Sequence, residues 1–464
     1  MRCFAALLLL AFVADSASAQ WTRTREQIPD LDSLPDVTAE LQKKIDDQNG
    51  SLLLIKQVYR ITKPLEVDLE KHGTMAIKAI GGSTLVMDGP GPAIRLKGTH
   101  QGTASPKSFK PGTWNERMPI LTGFEVLGAH PEASGIELYQ TVGCIVERVS
   151  VRWCLHGIHL VERNRNVVIS NAHLYENSGV GLYLDDVNLH QINVCNSHIS
   201  YNRAGGIVVR DGNVRNLQVT GCDIEGNMPA DETPTKTANI LIDVSGSADD
   251  RSKSIAEIAI TGCTIQHSAN YGGDKAKTVA PGGANIRLAG KEIYDIDSVA
   301  ITGNVLSDTT TNIDISYAHD VAISSNTFFA PKPNNLVVAN SQRVVVTGNT
   351  FNPRQFERPG TIRFTDCDDC IVANSTMHQF ATPDGAVILE RCSGMSLTGL
   401  LLTDCGSGIV LKETTASTIA NCRVSRTADG AADLSVDGSN EDIELSANRF
   451  AGKVTVASDA VAAD

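Results

Sequence analysis

The chain of 464 residues carries 40 Lys and Arg residues against 53 Asp and Glu residues, which gives a formal net charge of -13. This charge argues against a nucleic-acid partner, because a phosphate backbone would meet charge of its own sign. No stretch reaches the roughly 18 to 20 apolar residues that a membrane-spanning helix needs, so the sequence predicts no transmembrane segment.

The N-terminus has the features of a secretory signal peptide over residues 1–19. Arg2 precedes a short apolar run at residues 4–13, and Ala17-Ser18-Ala19 provides a small-residue cleavage motif. We therefore expect the mature chain to begin at Gln20 and to be secreted, either periplasmic or extracellular.

The next segment predicts a helix over residues 35–50. Val37, Leu41 and Ile45 share one helical face, and Asp36 precedes them as a plausible N-cap. The sequences "SLLLIKQVYRI" and "PLEVDL" that follow are typical of strands. A helix in this place would cover the open end of a coil of strands and protect its unpaired edges.

From residue 135 a short apolar-alternating strand recurs at intervals of roughly 22 to 27 residues, with two longer intervals of 33 and 46. Each period holds three short strands separated by Gly and Asn turn residues, which predicts about 11 or more coils of parallel sheet. The openings are "GIELYQ" at 135, "GIHLVE" at 157, "GLYLDD" at 181, "GIVVRD" at 206, "NILIDV" at 239, "NIRLAG" at 285, "NIDISY" at 312, "NLVVAN" at 335, "TIRFTD" at 361, "AVILER" at 386 and "GIVLKE" at 408.

The repeat divides the mature chain into two regions. Residues 20–134 hold the cap helix, the first coils and a long insert at 100–119. Residues 135–464 hold the repeats, with enlarged coils around 226–284. Loops around a rigid scaffold are where binding sites are usually built, so the enlarged coils indicate the face that carries function.

The second strand of each period ends in an aligned turn position that is occupied mostly by Asn and Cys. Stacked side chains in such a turn can hydrogen-bond from one coil to the next, so we interpret them as a structural ladder rather than a site. The predicted ladder residues are Cys222, Cys263, Asn304, Asn326, Asn349, Asn374 and Cys422.

The segment "DVTAELQKKIDDQNGSLLLIKQVYRI" from residue 36 is similar to the N-terminal signature of secreted right-handed parallel β-helix proteins of the pectate-lyase-like superfamily. The resemblance covers nearly the whole mature chain and implies an all-β, right-handed parallel β-helix with an N-terminal capping helix. That superfamily includes polysaccharide lyases, glycosidases, epimerases, phage tailspikes and adhesins, so the resemblance implies carbohydrate as the partner without fixing an activity.

The period of two along a strand assigns each opening-strand residue to a face. Because strands lie about 4.8 Å apart, the outward residues predict one contiguous acid-rich and aromatic patch about six coils long. Its predicted substrate-binding residues are Tyr139, His159, Glu162, Tyr183, Arg210, Asp243 and Arg287.

The chemistry we expect at this patch is glycoside hydrolysis. Hydrolysis needs two carboxyl groups about 5 to 9.5 Å apart, one protonated and one ionised. Asp185, Asp186 and Asp211 are the predicted acid/base cluster, and no cofactor is expected. Asp185-Asp186 resembles the Asp-Asp of polygalacturonases, but the Gly-His-Gly and Arg-Ile-Lys motifs of those enzymes are missing.

Two alternatives remain open. A polysaccharide lyase or uronate epimerase would use Arg210 or His159 as base, with calcium held by Asp185, Asp186, Asp211 and Asp243. A non-catalytic cell-surface protein would bind glycans with the same face and would not need the aspartates. His156 and His159 are three residues apart on a predicted strand, which places them on opposite faces and argues against a shared metal.

Overall fold

The computed structural model describes residues 30–55, 57–102, 105–229, 233–246, 254–267, 280–292, 296–352 and 359–461. The predicted signal peptide lies outside these residues, as do parts of the enlarged coils around 226–284. Within the described chain, 41 strands pair side by side and wind into about 15 turns. The predicted all-β solenoid is therefore confirmed.

Each turn contributes strands to three sheets, and neighbouring strands in the described chain pair in parallel. Four long strands bend at a corner and serve two sheets: Ala76–Met87 and Ile120–Gly128 join the second and third sheets, and Ile158–Ser170 and Val180–Cys195 join the first and second.

The first sheet is the one that the repeating sequence openings predicted. Besides the first parts of the two long strands at 158 and 180, it contains Leu65–Asp68, Gly91–Lys97, Ala133–Tyr139, Gly205–Arg210, Ala238–Asp243, Ala284–Ala289, Thr311–Ser316, Asn334–Ala339, Thr361–Thr365, Val387–Glu390, Ile409–Lys412, Ala432–Val436 and Lys453–Val456.

The second sheet follows the first around each coil. Besides parts of the four long strands, it contains Leu52–Ile55, Ile145–Glu147, Asn213–Thr220, Ser254–Thr261, Ile296–Thr302, Ala318–Ser324, Gln342–Thr347, Ile371–Ala373, Ser396–Thr398, Thr415–Ala420 and Glu441–Ser446.

The third sheet closes the coil. Besides the second parts of the long strands at 76 and 120, it contains Val58–Ile61, Ser150–Arg152, His173–Tyr175, His198–Ser200, Asp223–Glu225, Thr264–Gln266, Val305–Ser307, Thr327–Phe329, Thr350–Phe351, Thr376–His378, Leu401–Thr403, Arg423–Ser425 and Arg449–Phe450.

Helices are few in the described chain. The α-helices are Thr38–Asp47 and Leu69–His72, and short 3-10 helices occupy Leu31–Ser33, Pro106–Ser108 and Pro111–Glu116. The first of these confirms the predicted cap helix. The N-cap is Val37 rather than the predicted Asp36, whose carboxylate instead accepts hydrogen bonds from the backbone N–H and the hydroxyl of Thr38, the first helical residue.

The cap helix closes the first coil by replacing a missing strand. Leu41 and Ile45 are buried in the core of the coil. The amide of Gln42 donates to the carbonyl of Glu66 and accepts from its N–H, both at 2.9 Å. These are the backbone groups that a preceding strand would have paired, so the cap satisfies a sheet edge that would otherwise be open.

The interior of the coil is apolar because inward residues alternate with outward ones. Ile136, Leu138, Ile158 and Leu160 are typical, and all are fully buried. Burial of this continuous apolar column between the three sheets supplies most of the driving force for folding.

Two buried polar ladders run along the coil. In one, Asn304 donates to Asn326 and Asn326 donates to Asn349, from both backbone and side-chain nitrogens. The next rung is the hydroxyl of Ser375, whereas Asn374 is exposed in the left-handed region at φ 46°. The prediction of Asn374 as a rung was therefore wrong by one residue.

The second ladder was not predicted. It lies where the coils enter the first sheet, and its side-chain amides form an unbroken series from coil to coil, except that Asn227 and Asn239 are only 12 residues apart and belong to one enlarged coil. Its rungs are Asn177, Asn202, Asn227, Asn239, Asn285, Asn312 and Asn335. Buried amides of this kind fix the register of successive coils. A shift in register would leave amides buried without a hydrogen-bond partner, and each of them would lower the stability by its uncompensated desolvation free energy.

Candidate functional site

The outward residues of the first sheet form two parallel columns, as the period of two predicted. Strand pairing aligns one column along Glu137, His159, Tyr183, Val208, Leu241, Arg287 and Asp314. It aligns the other along Tyr139, Val161, Asp185, Arg210, Asp243, Ala289 and Ser316. The placement of the predicted residues on one face is thus shown, and their function stays a prediction.

Three rings form a cluster at the centre of this face. His159 and Tyr183 stack with their planes 7° apart and their centroids 5.1 Å apart. The ring of His156 lies 5.5 Å from His159 and 5.1 Å from Tyr183. Aromatic faces aligned in this way offer a platform to the C–H face of a sugar ring.

Asp185 is the carboxylate next to the ring cluster. Tyr183 donates its hydroxyl to Asp185 Oδ1 at 2.9 Å. His159 Nε2 lies 3.5 Å from Asp185 Oδ2 but makes no hydrogen bond within the described structure. A buried ring nitrogen beside a carboxylate is a group that a bound hydroxyl could satisfy.

Burial keeps two of the three rings uncharged. Burial, followed by the nearby His159, lowers the pKa of His156 to about 4. The His156 Nδ1 accepts from the backbone N–H of Val180 at 3.2 Å, which is consistent with a neutral ring. Burial and the hydrogen bond to Asp185 raise the pKa of Tyr183 to about 12, so its hydroxyl remains a proton donor.

The proximity of His156 to His159 corrects the sequence-based expectation. The spacing of three would separate the side chains if both lay on one strand, but the strand begins only at Ile158. His156 belongs to the preceding turn, where the alternation of faces does not apply. Its ring therefore lies on the same side as His159.

Glu162, Asp186 and Asp211 lie where their strands leave the first sheet. All three adopt left-handed backbone, with φ values of 61°, 45° and 55°. Each directly follows a residue of the outward column that contains Asp185. The three carboxylates therefore form a row beside this column, at the edge of the first sheet. Asp185, Asp186 and Asp211 therefore come from two neighbouring coils, one strand spacing of about 4.8 Å apart.

The predicted patch is interrupted in the column that contains Tyr183. Val208 and Leu241, which follow Tyr183 in its column, are buried in a small apolar cluster with Val180, Ala238 and Ala284. Val180, Ala238 and Ala284 are residues of neighbouring first-sheet strands, and Tyr183 packs against the cluster. The ring cluster and Asp185 are consequently separated from Arg287 and Asp314.

Arg210 and Asp243 form the pair next to Asp185. Arg210 Nη1 lies 2.8 Å from Asp243 Oδ2, and its side chain stays well exposed. The other oxygen of Asp243 accepts from the N–H and hydroxyl of Ser245 at 3.0 and 2.6 Å. Asp243 is therefore engaged by the protein, whereas Arg210 still presents a charged face to solvent.

Arg287 connects the loops of the enlarged coils to the first sheet by hydrogen bonds. It pairs with Asp314 at 2.8 Å and donates to the carbonyls of Lys236, Thr237 and Gly282. Its side chain is largely buried. The structure thus gives Arg287 a positioning role, and its predicted contact with substrate remains untested, as does that of Tyr139, which lies beside Val161 and Lys97.

The described residues offer no ready metal centre. No three side chains of His, Cys, Asp or Glu converge in that part of the chain as ligands would. Calcium binding at Asp185, Asp186, Asp211 and Asp243 stays a prediction.

Within the described ranges no helix combines the length and apolar character needed to cross a membrane.

Two protein-family models match the chain. Residues 126–243 match the model of the right-handed β-helix region. The chain is a right-handed β-helix protein. Residues 256–462 of this β-helix protein match the model of NosD, described as a periplasmic copper-binding protein. A search of curated proteins finds no match to the sequence.

Solved structures similar to this β-helix protein are distant. The A-module of the Azotobacter vinelandii mannuronan C-5 epimerase AlgE6 is 12% identical, with a TM-score of 0.45, over 90% of this chain and 96% of the module. The tailspike of Escherichia coli bacteriophage HK620, solved with a pentasaccharide, is 14% identical, with a TM-score of 0.45, over 82% of this chain and 76% of the tailspike. A Streptomyces thermodiastaticus α-1,3-glucanase is 14% identical, with a TM-score of 0.34, over 93% of this chain and 67% of the glucanase. These values are too low to support a functional argument.

In the described part of the NosD-like region, no three side chains of His, Cys, Asp or Glu lie together as metal ligands would. Its cysteines are buried, and the thiols of Cys367, Cys392 and Cys422 donate to backbone carbonyls. The hydrogen bond with Cys367 and burial raise the pKa of the Cys392 thiol, whereas the hydrogen bond with Cys367 lowers the pKa of the Cys370 thiol. We derive no chemistry from copper for this chain.

Proposed function

We propose that the protein is an exported glycan-binding protein and that the first-sheet face around Asp185 is a polysaccharide-cleaving glycoside hydrolase site. The observation that carries the proposal is the ring cluster of His156, His159 and Tyr183 beside Asp185. It combines a stacking platform with a carboxylate and with a ring nitrogen that has no hydrogen-bond partner. The signal-like N-terminus and the match to a periplasmic protein support an exported location.

In this proposal two carboxyl groups have different roles in hydrolysis. Asp185 lies closest to the platform, and Asp186 or Asp211 supplies the second carboxyl group from the corner. One donates a proton to the leaving oxygen, and the other either activates water or attacks the sugar. The exposed guanidinium of Arg210 binds hydroxyl or carboxylate groups of the glycan.

A second reaction is favoured by the neutral Tyr183 and the unpartnered nitrogen of His159. In a lyase or uronate epimerase, a base removes the proton next to the uronate carboxylate, and a cation neutralises that carboxylate. His159 would accept the proton and Arg210 would face the carboxylate. The acidic surroundings disfavour a uronate, which makes hydrolysis the first choice.

The deciding experiment incubates the mature protein with neutral and uronate polysaccharides, with and without a chelator. New reducing ends without absorbance near 235 nm are the result expected from a hydrolase. Absorbance at that wavelength indicates a lyase, and NMR evidence of inverted uronates indicates an epimerase. If glycans bind but remain unchanged, and binding survives Asp185→Asn, the face is a non-catalytic binding surface.

A further inference from the structure

Basic side chains from three successive coils lie together at the corner where the first sheet turns into the second. Strand pairing aligns two outward columns there, with a buried inward column between them. One outward column holds Arg163, Asn188 and Asn213, the other holds Arg165, His190 and Arg215, and the inward residues are Asn164, Leu189 and Val214. We call Arg163, Arg165, His190 and Arg215 the basic cluster.

His190 is the centre of the basic cluster. Its neighbours in the column, Arg165 and Arg215, each lie one strand spacing of about 4.8 Å away, on opposite sides. Burial lowers the pKa of His190, and the charges of Arg215, Arg165 and Arg163 lower it further. The carboxylate of Glu257 acts in the opposite direction with a smaller effect. Three guanidinium groups therefore surround an imidazole that is neutral near pH 7.

Two of these arginines are held by uncharged oxygens. Arg163 donates to the carbonyl of Gly102, and Arg215 donates to the carbonyl and the hydroxyl of Ser254 at 2.8 and 2.7 Å. Such bonds position a guanidinium without neutralising it. Outward arginines elsewhere in the described chain are paired with carboxylates, as Arg343, Arg391 and Arg426 show. The corner thus carries local positive charge on a chain whose net charge is -13.

The row of carboxylates borders the basic cluster on the side of the first sheet. Glu162 directly precedes Arg163 in the chain, and Asp186 and Asp211 precede the corner in the next two coils. These carboxylates would repel an anion from the first-sheet side of the corner. An anionic group is therefore favoured on the second-sheet side, over His190.

The insert at 100–119 forms a wall at one end of the basic cluster. His100, Phe109 and Trp114 stack as three nearly parallel rings, with successive centroids 4.6 Å apart. The guanidinium of Arg165 lies 5.0 Å from the ring centre of Phe109, which holds it beside His190. Trp114 is 40% exposed at the outer end of the stack. The wall therefore offers an aromatic surface next to the charged groups.

We propose that the basic cluster binds a phosphate group, either free phosphate or the monoester of a sugar. Guanidinium groups donate paired hydrogen bonds to phosphate oxygens. A phosphate monoester carries about -1.5 to -2 charges near pH 7, so it balances several guanidiniums better than a carboxylate with a single charge. Arg165 and Arg215 are two strand spacings apart, roughly 9.6 Å, which leaves room for one phosphate between their long side chains. The site is separate from the reaction proposed at Asp185 and does not depend on it.

The test titrates the full mature chain with inorganic phosphate, glucose 1-phosphate and glucose 6-phosphate, by calorimetry at low ionic strength. We expect at least one of them to bind, whereas methyl glucoside, which has no charge, does not. Tighter binding of a sugar phosphate assigns the site to the monoester, and equal or tighter binding of inorganic phosphate assigns it to the free ion. Asp185→Asn leaves this binding in place.

Single substitutions then locate the site. Arg165→Gln and Arg215→Gln each weaken phosphate binding by about tenfold or more, because a hydrogen bond between charged groups is lost. Arg391→Gln is the matched control, since it changes the net charge equally at an outward arginine that pairs with Asp366, and it leaves the affinity unchanged. Melting temperatures show that all three variants remain folded.

The imidazole of His190 provides a readout that a purely structural cluster would not give. A bound dianion favours the protonated ring, so saturating phosphate raises the pKa of His190, which is followed by NMR of the histidine ring protons and assigned with His190→Gln. The proposal is overturned if none of the three phosphates binds, if Arg165→Gln and Arg215→Gln bind phosphate as tightly as Arg391→Gln, or if phosphate leaves the pKa of His190 unaltered.

Discussion

The hydroxyl of Tyr183 and the carboxylate of Asp185 lie two residues apart on one strand and are joined by a hydrogen bond of 2.9 Å. Alternation places both side chains on the outward face. The bond holds Asp185 against the ring cluster and leaves its second oxygen 3.5 Å from His159 Nε2. Asp185 is therefore the carboxylate whose removal is most informative.

Asp185→Asn is expected to lower kcat by about 100-fold or more, since a positioned acid or base contributes about 10² to 10⁴ to the rate. The amide keeps the shape of the side chain, so the melting temperature should change little. Glu390→Gln is the matched control, because Glu390 lies in the same outward column seven coils away. Equal activity in both variants would exclude Asp185 from catalysis.

Arg287→Met is expected to release the loops of the enlarged coils. The change removes the pair with Asp314 and the bonds to three carbonyls, at a cost of about 2 to 3 kcal/mol. Hydrogen exchange should accelerate at residues 233–238 and 280–283. Arg426→Met, which breaks the exposed pair with Asp404, should change the stability little. Unchanged exchange at the loops would refute the positioning role.

Asn349→Ala is expected to destabilise the coil by about 2 to 4 kcal/mol, because it leaves buried partners unpaired. Asn349 accepts from Asn326 and donates to the carbonyls of Ile323 and Thr347. Asn374→Gly changes an exposed residue at φ 46° and should be nearly neutral. Urea unfolding of the two variants compares a buried rung of the ladder with Asn374, which the sequence placed in the ladder and the structure leaves exposed.

The stability of the protein is expected to fall as the pH is lowered from about 6.5 to 4. Burial lowers the pKa of His267 to about 4, and neither ring nitrogen has a hydrogen-bond partner in the described structure. The unfolded chain binds this proton near pH 6.5, so between these values unfolding takes up a proton and is favoured. For His267 the loss at pH 4 is on the order of 3 kcal/mol.

His267→Leu should remove this part of the pH dependence. Unfolding free energies of the variant and the unchanged chain are to be compared at pH 8 and at pH 4.5. The variant should gain stability relative to the unchanged chain mainly at the lower pH. A difference that is the same at both values would show that the proton is not taken up at His267.

The sequence was sufficient to predict the solenoid, because each of its strands and the cap helix has its own pattern of residues nearby in the sequence. The spacing of the openings matches the pairing of the first-sheet strands, as Ile136, Ile158, Leu182 and Ile207 show. The cap helix was predicted from its apolar face and from Asp36. The two outward columns followed from strand alternation alone.

What the sequence missed depends on contacts between distant segments. Val208 and Leu241 belong to the outward set by alternation, but they are buried in a cluster with Val180, Ala238 and Ala284 from neighbouring coils. His156 lies in a turn, where alternation does not apply. No periodic pattern encodes these relationships.

The asparagine ladders make the length of this protein adjustable in principle. Asn285, Asn312 and Asn335 meet their neighbours in the same way, so removing one whole coil would bring two compatible amides together. The N-terminal end is different, since Gln42 fits only the first strand of the first sheet. Whole coils can thus be gained or lost along the middle of the solenoid during evolution. The cap helix, in contrast, fixes the position of the first coil.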